Sequence, residues 1–281
     1  IKDGNIHPDM FQKEAIRLRK HFDYEIKEEK RTPFIKPRNN KFKIYNENCI
    51  TGCQKHIKSN SIDLIINDAP FGIGEDDIGT RYARHEDNVI KGYVEVPVSK
   101  YEKFSMDVMV EVERTLRKGG SAYIFSGFQN LRHFLNSAEK VGLEQRNHII
   151  WKYNFGLNTT RRFISCHYHL LYFVKPPQSQ VTFNEFLSDG EASEYYDRED
   201  VWVIDREYKS PTTIKNQNEL PPKLVDKIIE YSSNTGDKVM DMFLGGFTTA
   251  RSAINLGREP LGFEINKKVF GYFYPKFHRK K

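Results

Sequence analysis

The sequence predicts an α/β fold, with a largely parallel sheet and helices on both faces of the sheet. Short apolar segments alternate with segments of helical periodicity from residue 42 to residue 264. Some apolar segments, such as residues 61–67, are nearly continuous, which is typical of parallel strands buried on both faces. Because strands and helices alternate, the architecture that fits is a parallel sheet whose strands are joined by crossover helices.

In the first half of the chain, the pattern predicts strands at 42–45, 61–67 and 121–125 and helices at 49–57, 104–116 and 130–141. The helix over 104–116 is amphipathic. The residues after it, Arg117-Lys118-Gly119-Gly120, are typical of a basic last helical turn followed by a glycine stop. The apolar strand over 121–125 would then start directly after that stop.

In the second half, the pattern predicts strands at 148–151, 169–174, 238–241 and 260–264 and helices at 220–231 and 248–256. Pro221 and Pro222 suit the first turn of the helix over 220–231, because proline needs no hydrogen-bond acceptor there. Residues 176–215 have weak periodicity and are interpreted as a small inserted region. Residues 1–40 are interpreted as a basic arm, and residues 41–281 as a single domain.

Composition excludes several classes of protein. No segment reaches the roughly 18 apolar residues of a membrane span. The three cysteines predict a reducing compartment and hence a cytoplasmic protein, because an odd, small count does not suit a disulfide framework. Cys49, Cys53 and His56 lack a second ligand pair at zinc-finger spacing, so no metal is expected. The chain lacks a signal-peptide pattern at its start.

The basic charge is concentrated near the two ends. The net charge is +6, yet the first 43 residues carry twelve Lys and Arg against seven Asp and Glu. The last fifteen residues carry six Lys and Arg and no acid. Basic ends suit contact with a polyanion such as nucleic acid. Solvated tails are the alternative interpretation.

A candidate cofactor site follows the strand at 238–241. Asp241 ends this strand, Gly245 and Gly246 form a turn, and Thr248 opens a helix that its side chain is expected to cap. Free N–H groups at a helix start face a ligand. Glu264 ends the next strand, 23 residues after Asp241. This is close to the roughly 20-residue interval at which an acid holds ribose hydroxyls in dinucleotide-binding folds. No Gly-x-Gly-x-x-Gly fingerprint is present, which favours a nucleoside cofactor without a diphosphate.

A candidate base-binding site follows the strand at 61–67. Asp68, Ala69, Pro70 and Phe71 lie where ligands bind in α/β folds, after the carboxyl end of a strand. An exocyclic base amine is a poor nucleophile because its lone pair is delocalised into the ring. The carboxylate of Asp68 and the carbonyl of Ala69 are two acceptors for its two protons, and Phe71 is able to stack on an extruded base. A strand-ending turn without a ligand is the alternative.

These two segments resemble two motifs of the DNA amino-methyltransferases. Asp68-Ala69-Pro70-Phe71 resembles Asp-Pro-Pro-Tyr/Phe, motif IV, and the segment 241–249 resembles Asp-Pro-Phe-x-Gly-x-Gly-Thr-Thr, motif I. The catalytic motif precedes the cofactor motif, an order similar to the β class of the family. The chain departs from the motifs at Ala69, at Met242 and at Phe247, which is expected to crowd the cofactor turn.

The resemblance implies a Rossmann-like methyltransferase fold, S-adenosylmethionine as cofactor, and base flipping before transfer. It implies that Asp68 and Ala69 orient the amine within a loop that Pro70 rigidifies, and that Phe71 stacks on the base. The cofactor-contacting residues that it implies are Asp241, Phe243, Gly245, Thr248, Glu264, Asn266, Asn218 and Lys223. The region 176–215 would be the target-recognition region.

Contacts with double-stranded DNA are predicted from basic residues near the sheet edge. Arg81 and Arg84 lie in a long polar loop that is expected to close on DNA, and Lys152 follows Trp151 at a strand end. Arg161 and Arg162 are candidates for phosphate contact, with a solvated loop as the alternative. Core packing is likewise the alternative to a nucleotide contact for Trp151.

The sequence therefore predicts a DNA methyltransferase that acts on adenine N6, with cytosine N4 left open. The acid at the first motif position favours adenine. The resemblance to the family makes a homodimer and a cognate restriction endonuclease possible partners. Two alternatives stay open at this point: a methyltransferase for RNA or protein side chains, and a catalytically inactive DNA-binding module, which the changes at Ala69 and Phe247 would suit.

Overall fold

The computed structural model describes residues 42–72, 95–154, 163–185, 195–206 and 219–278. The predictions for residues 1–40, Arg81, Arg84, Arg161, Arg162 and Asn218 lie outside these ranges. Eight strands in the described residues form one sheet, and they are β1 (Lys43–Tyr45), β2 (Ile62–Asn67), β3 (Leu116–Ser126), β4 (Glu144–Lys152), β5 (His167–Val174), β6 (Val201–Val203), β7 (Lys238–Asp241) and β8 (Glu259–Phe263).

The described residues also form six α-helices. They are α1 (Cys49–His56), α2 (Tyr101–Thr115), α3 (Leu131–Val141), α4 (Pro222–Ser232), α5 (Thr248–Asn255) and α6 (Lys267–His278). None of these helices combines the length and the apolar composition that crossing a membrane requires. Buried side chains of α1, α2 and α3 share one core cluster, whereas those of α4 share a second cluster with Ala253 of α5.

The sheet order is β1-β8-β7-β2-β3-β5-β4-β6. Every neighbouring pair is parallel except the two pairs that β5 makes, with β3 and with β4. Strand β5 therefore runs against the other seven. The predicted α/β class, a mostly parallel sheet with helices on both faces, is confirmed.

Strand β2 shows why its sequence is nearly continuously apolar. Ile62 and Ile65 are buried in the cluster on one face of the sheet, and Leu64 and Ile66 are buried in the cluster on the other. Because β2 lies between β3 and β7, no edge of it meets solvent. The strand delivers Asp68 directly to the rim of the sheet.

The junction between α2 and β3 differs from the prediction. The helix ends at Thr115, and Leu116 already has extended backbone angles and begins β3. Arg117 is therefore a strand residue, whose Nε donates to Oδ1 of Asp63 at 2.6 Å. Gly119 does adopt a positive φ of 70°, but inside β3, where a Cβ would meet the carbonyl of Gln180. The prediction of a basic helical turn with a glycine stop was wrong.

Helix α6 lies within the basic C-terminal segment, which the sequence pattern had not marked as a helix. Its Val269 and Phe273 are buried against the segment after β7. Phe247 belongs to the same cluster, with its ring centroid 5.8 Å from that of Phe273 and 6.1 Å from that of Phe270. Phe247 adopts a φ of 62°, in the left-handed region that disfavours side chains. Ring burial against α6 offsets this strain.

Comparing two substitutions of Phe247 tests this balance. Phe247→Ala should lower the free energy of unfolding by about 3–5 kcal/mol, because it empties a packed site. Phe247→Gly should be the milder change by about 1 kcal/mol, because glycine adopts a positive φ without strain. Urea denaturation measures both values, with Phe273→Ala as the control that removes a ring from an ordinary helical backbone. An alanine variant at least as stable as the glycine variant would contradict the account.

Candidate active site

A cavity of about 270 Å³ opens at the carboxyl ends of β2, β7 and β8. Three loops after these strands supply most of its wall. The predicted site residues that line it are Asp68, Ala69, Pro70, Phe71, Asp241, Phe243, Gly245, Thr248, Glu264 and Asn266. Two segments more than 170 residues apart in sequence thus meet at one cavity.

The loop after β2 is held by three side chains that the sequence patterns did not mark. The hydroxyl of Tyr101 donates to the carbonyl of Pro70 at 2.7 Å, and Nδ2 of Asn130 donates to the carbonyl of Phe71 at 2.6 Å. Glu95 accepts from the N–H of Gly72 at 2.8 Å. Gly72 has a φ of 67°, and a Cβ there would overlap the ring of Tyr101. These contacts fix the loop although Ala69 replaces a proline.

Asn67, the last residue of β2, links this loop to the cofactor turn. Its side-chain Oδ1 accepts from the backbone N–H of Met242 at 3.0 Å, and the residue is fully buried. The last backbone pairing between β2 and β7 is Ile65 with Met240, so the strands separate beyond it. The side chain of Asn67 thus spans the point where the two strands diverge and the cavity begins.

Two carboxylates organise the cofactor turn. Oδ1 of Asp241 accepts from the N–H of Phe243 at 2.8 Å. Oε2 of Glu264 accepts from the N–H of Gly245 at 2.8 Å, and its Oε1 accepts from the N–H of Asn266 at 2.6 Å. Thr248 was expected to cap α5, but it is the first helical residue, and Phe247 occupies the N-cap position. Glu264 therefore shapes the turn in addition to facing the cavity.

Gly246 and Glu219 form a close contact in the same turn. A Cβ at Gly246 would lie 2.3 Å from Cδ of Glu219, so any larger residue at position 246 would have to displace the end of that side chain. Oε2 of Glu219 lies 3.9 Å from Nη2 of Arg251. Glu219 and Leu220 line the cavity, whereas Lys223 is exposed in the first turn of α4 and does not line it. Of the segment that the resemblance implied to contact the cofactor, Glu219 therefore reaches the cavity and Lys223 does not.

Phe247 does not crowd the cofactor turn, contrary to the expectation. It is absent from the cavity wall, because its ring points to α6. The other wall of the cavity is aromatic: Tyr168 meets Phe71 edge to face with ring centroids 5.0 Å apart, and Trp151 lies beside it. Trp151 is almost completely buried, and its Nε1 donates to the carbonyl of Ile204 at 2.8 Å. Lys152 is exposed at the end of β4.

The cavity carries an excess of acid. Its charged lining residues, among those described, are Glu47, Asp68, Glu219, Asp241, Glu264 and Arg206. Burial raises the pKa of Asp68 to about 7; the charge of Asp241 adds to the rise, and that of Arg206 opposes it. Burial likewise raises the pKa of Asp241 to about 7. An acidic cavity attracts a cationic ligand and repels a polyphosphate.

The thiol of Cys49, which lines the cavity, is not activated as a nucleophile. Burial raises the pKa of Cys49 to about 12, so the thiol is protonated at neutral pH. Among the residues that the structure describes, no group of three or more His, Cys, Asp or Glu side chains has the geometry of a metal site.

Comparisons with known proteins identify a family for this chain. The model of the DNA methylase family for N6 and N4 amines matches residues 62–274. The chain is 30% identical over 226 residues to the Type II methyltransferase M.HpaI of Haemophilus parainfluenzae, covering 76% of this chain and 67% of that protein. It is 30% identical over 240 residues to the DNA adenine methyltransferase YhdJ of Escherichia coli K12, covering 76% and 75% of the two.

Solved structures show the same fold. The cytosine-N4-specific PvuII DNA methyltransferase superposes with a TM-score of 0.64 at 15% identity and covers 88% of this chain and 89% of its own. The complex of M1.HpyAVI with S-adenosylmethionine superposes with a TM-score of 0.57 at 19% identity, covering 84% and 98%.

Removing the Asn67 side chain tests the link between the two loops. Asn67→Ala leaves the buried N–H of Met242 without its acceptor, so the free energy of unfolding should fall by about 1–2 kcal/mol. Nδ2 of Asn67 is itself buried without a partner among the described residues, which limits the loss. Urea denaturation measures the change, with Asn147→Ala on the exposed side of β4 as control. Equal stability of the two variants would show that the link contributes nothing.

Because the pKa of Asp68 is raised, replacing this carboxyl by a neutral amide should stabilise the fold by an amount that depends on pH. The folded-state pKa of about 7 lies above the unfolded value of about 4, so wild-type stability falls as the pH rises from about 4 to about 7 and the loss is complete above that. Asp68→Asn should therefore be more stable than wild type at pH 8, by roughly 1–3 kcal/mol more than at pH 4.5. Thermal or urea unfolding at both pH values measures this. A difference independent of pH would contradict it.

Proposed function

The chain belongs to the N6/N4 DNA methylase family, and from that premise we propose that it methylates adenine N6 in double-stranded DNA through Asp68. The chain is an S-adenosylmethionine-dependent DNA methyltransferase that modifies an exocyclic amine, of adenine or of cytosine.

The observation that carries the proposal is the position of Asp68 in the cavity, beside Phe71 and facing the cofactor turn. The carboxylate accepts one N–H of the target amine, and the carbonyl of Ala69 accepts the other. No group of the described residues donates a hydrogen bond to that carbonyl. Two acceptors draw the amine toward a tetrahedral nitrogen whose lone pair points at the methyl group. Phe71 offers the ring on which the base stacks.

The cavity fits S-adenosylmethionine. The cofactor, when bound, supplies a methyl group carried on a positively charged sulfur. The acidic lining, including Asp241, Glu219 and Glu264, suits that charge and the ammonium of its methionine end. Gly245 and Gly246 keep the turn free of side chains, so a ligand approaches the backbone closely. Glu264, fixed by two backbone N–H groups, is positioned to accept from ribose hydroxyls.

The choice of adenine rests on Asp68 at the first position of the motif, as in the adenine members that it resembles. YhdJ is named as an adenine methyltransferase and the PvuII enzyme as cytosine-N4-specific, so the relatives include both chemistries. An inactive binding module is less attractive than the sequence suggested, because Phe247 leaves the cavity open. Methyl transfer to RNA or to protein side chains is an outcome that the assay below detects.

Partners and location are further parts of the proposal. Similarity to Type II methyltransferases supports a cognate restriction endonuclease. Residues 176–215, which include β6, are proposed to read the DNA sequence, together with exposed Lys152. We further propose a homodimer and a cytoplasmic location; light scattering at micromolar concentration tests the dimer.

Methyl transfer from labelled S-adenosylmethionine tests the function. With mixed-sequence duplex DNA, wild type should yield N6-methyladenine on nucleoside analysis. Asp68→Asn should lower the rate by at least about 100-fold, because the neutral amide loses the charged acceptor at the amine. Asp107→Asn, which removes an exposed carboxylate on α2, is the matched control. The wild-type rate should rise with pH through about 7, as Asp68 ionises.

Three results would overturn parts of the proposal. N4-methylcytosine as the product would replace adenine with cytosine. Label on RNA or protein, and none on DNA, would contradict the DNA substrate. Full activity of Asp68→Asn would show that methyl transfer does not need the carboxylate of Asp68.

A further inference from the structure

Arg206 lies in an aromatic cage on the base-binding side of the cavity. Its guanidinium carbon is 5.6 Å from the ring centroid of Trp151, 4.9 Å from that of Tyr153 and 5.0 Å from that of Tyr168. Trp151 and Tyr153 are buried, and Trp151 is tied to the carbonyl of Ile204, two residues before Arg206. The cage and the backbone after β6 therefore hold this cation in a defined place.

Arg206 is also the one cation among the described residues that line the cavity. The other charged lining residues are all acids: Glu47, Glu219, Asp241, Glu264 and Asp68 itself. The charge of Asp241 raises the pKa of Asp68, and the charge of Arg206 lowers it. The hydroxyl of Tyr101, whose pKa burial raises, stays neutral. Against this acidic surrounding, Arg206 is the group that favours a negative charge on Asp68.

The charge of Asp68 matters for the proposed reaction. A protonated carboxyl has lost much of its strength as an acceptor, and its O–H competes as a donor. The acids of the cofactor turn, which suit a cationic cofactor, oppose that negative charge. A site that needs the acids of the cofactor turn and also an ionised Asp68 therefore needs a fixed cation on the side away from the cofactor.

A guanidinium suits this task better than an ammonium. It is planar, stays charged at every accessible pH, and stacks on aromatic rings. The three rings cover part of the guanidinium, and Asp68 lines the same partly enclosed cavity, so the interaction of Arg206 with Asp68 is less screened than on the surface. The rings hold the guanidinium in the cavity wall.

We propose that Arg206 is a positioning residue, held by Trp151, Tyr153 and Tyr168, that keeps Asp68 in its ionised, amine-accepting form. The inference rests on the proposed function, because it assigns Asp68 the amine. It adds a residue from the segment after β6, in the region otherwise proposed to read DNA. This segment thus serves the chemical step as well as substrate recognition.

Two substitutions of Arg206 and one control test the inference. Arg206→Met removes the charge and keeps an apolar stem, Arg206→Lys keeps the charge and loses the planar stacking, and Arg146→Met removes an exposed arginine near the start of β4. For each protein, the single-turnover rate of methyl transfer is measured from about pH 5.5 to about pH 9, a range that brackets the ionisation of a buried carboxyl. The carboxyl carbon of Asp68 is titrated by NMR in protein labelled at aspartate, with Asp68→Asn to assign its resonance.

The expected result is a shift of both midpoints to higher pH. Loss of a neighbouring cation makes the carboxyl harder to ionise, so Arg206→Met should move both midpoints up by about one pH unit or more. Its rate should recover toward wild type at high pH. Arg206→Lys should shift less, and Arg146→Met should leave both midpoints unchanged. The affinity for S-adenosylmethionine should change little, because Arg206 faces the base side.

A rate that falls equally at every pH, with an unchanged midpoint for Asp68, would overturn the inference and point to a DNA contact. So would midpoints that Arg206→Met and Arg146→Met shift alike. Failure of the proposed function looks different: wild type would then transfer no methyl to DNA. The NMR titration, which needs no DNA, would still decide whether Arg206 sets the ionisation of Asp68.

Discussion

The site depends on one buried contact, the hydrogen bond from the N–H of Met242 to the side chain of Asn67. The backbone hydrogen bonds between β2 and β7 stop where the two strands separate. Beyond that point, buried backbone groups lack a hydrogen-bond partner unless a side chain supplies one. Asn67 supplies the missing acceptor. The residues that follow on the two sides, Asp68 and the turn after Asp241, are thereby set across the cleft at a fixed separation. Chemistry between base and cofactor needs that separation.

Around this contact the site divides into two electrostatic halves. On the cofactor side, Asp241, Glu219 and Glu264 make an acidic wall that also holds the turn in shape. On the base side, aromatic rings enclose Arg206. Asp68 lies between the halves, and both act on its charge. Reversed strand β5 makes the second half possible, since its first residues, including Tyr168, reach the edge where the other strands end.

Local patterns in the sequence predicted the fold class and the two loops that carry the motifs, because strand ends and glycine turns are written in neighbouring residues. They failed where distant segments decide the outcome. Tyr101, Asn130 and Glu95 hold the loop after β2 from outside it, and nothing near them marks that role. Helix α6 was missed because its basic residues hid the apolar positions at Val269 and Phe273. After α2, the basic and glycine residues that suit a helix stop instead belong to the first part of β3.

The position of Phe247 ties the cofactor turn to the end of the chain. Phe247 occupies a left-handed backbone position where the related motif has glycine, and its ring is buried against Phe270 and Phe273 of α6. Docking of α6 therefore supports the shape of the turn, together with the hydrogen bonds to Asp241 and Glu264. Fraying or proteolytic trimming of the C-terminus, far from the base in sequence, would be felt as weaker cofactor binding. In this chain, cofactor affinity and the docking of α6 are thereby thermodynamically linked.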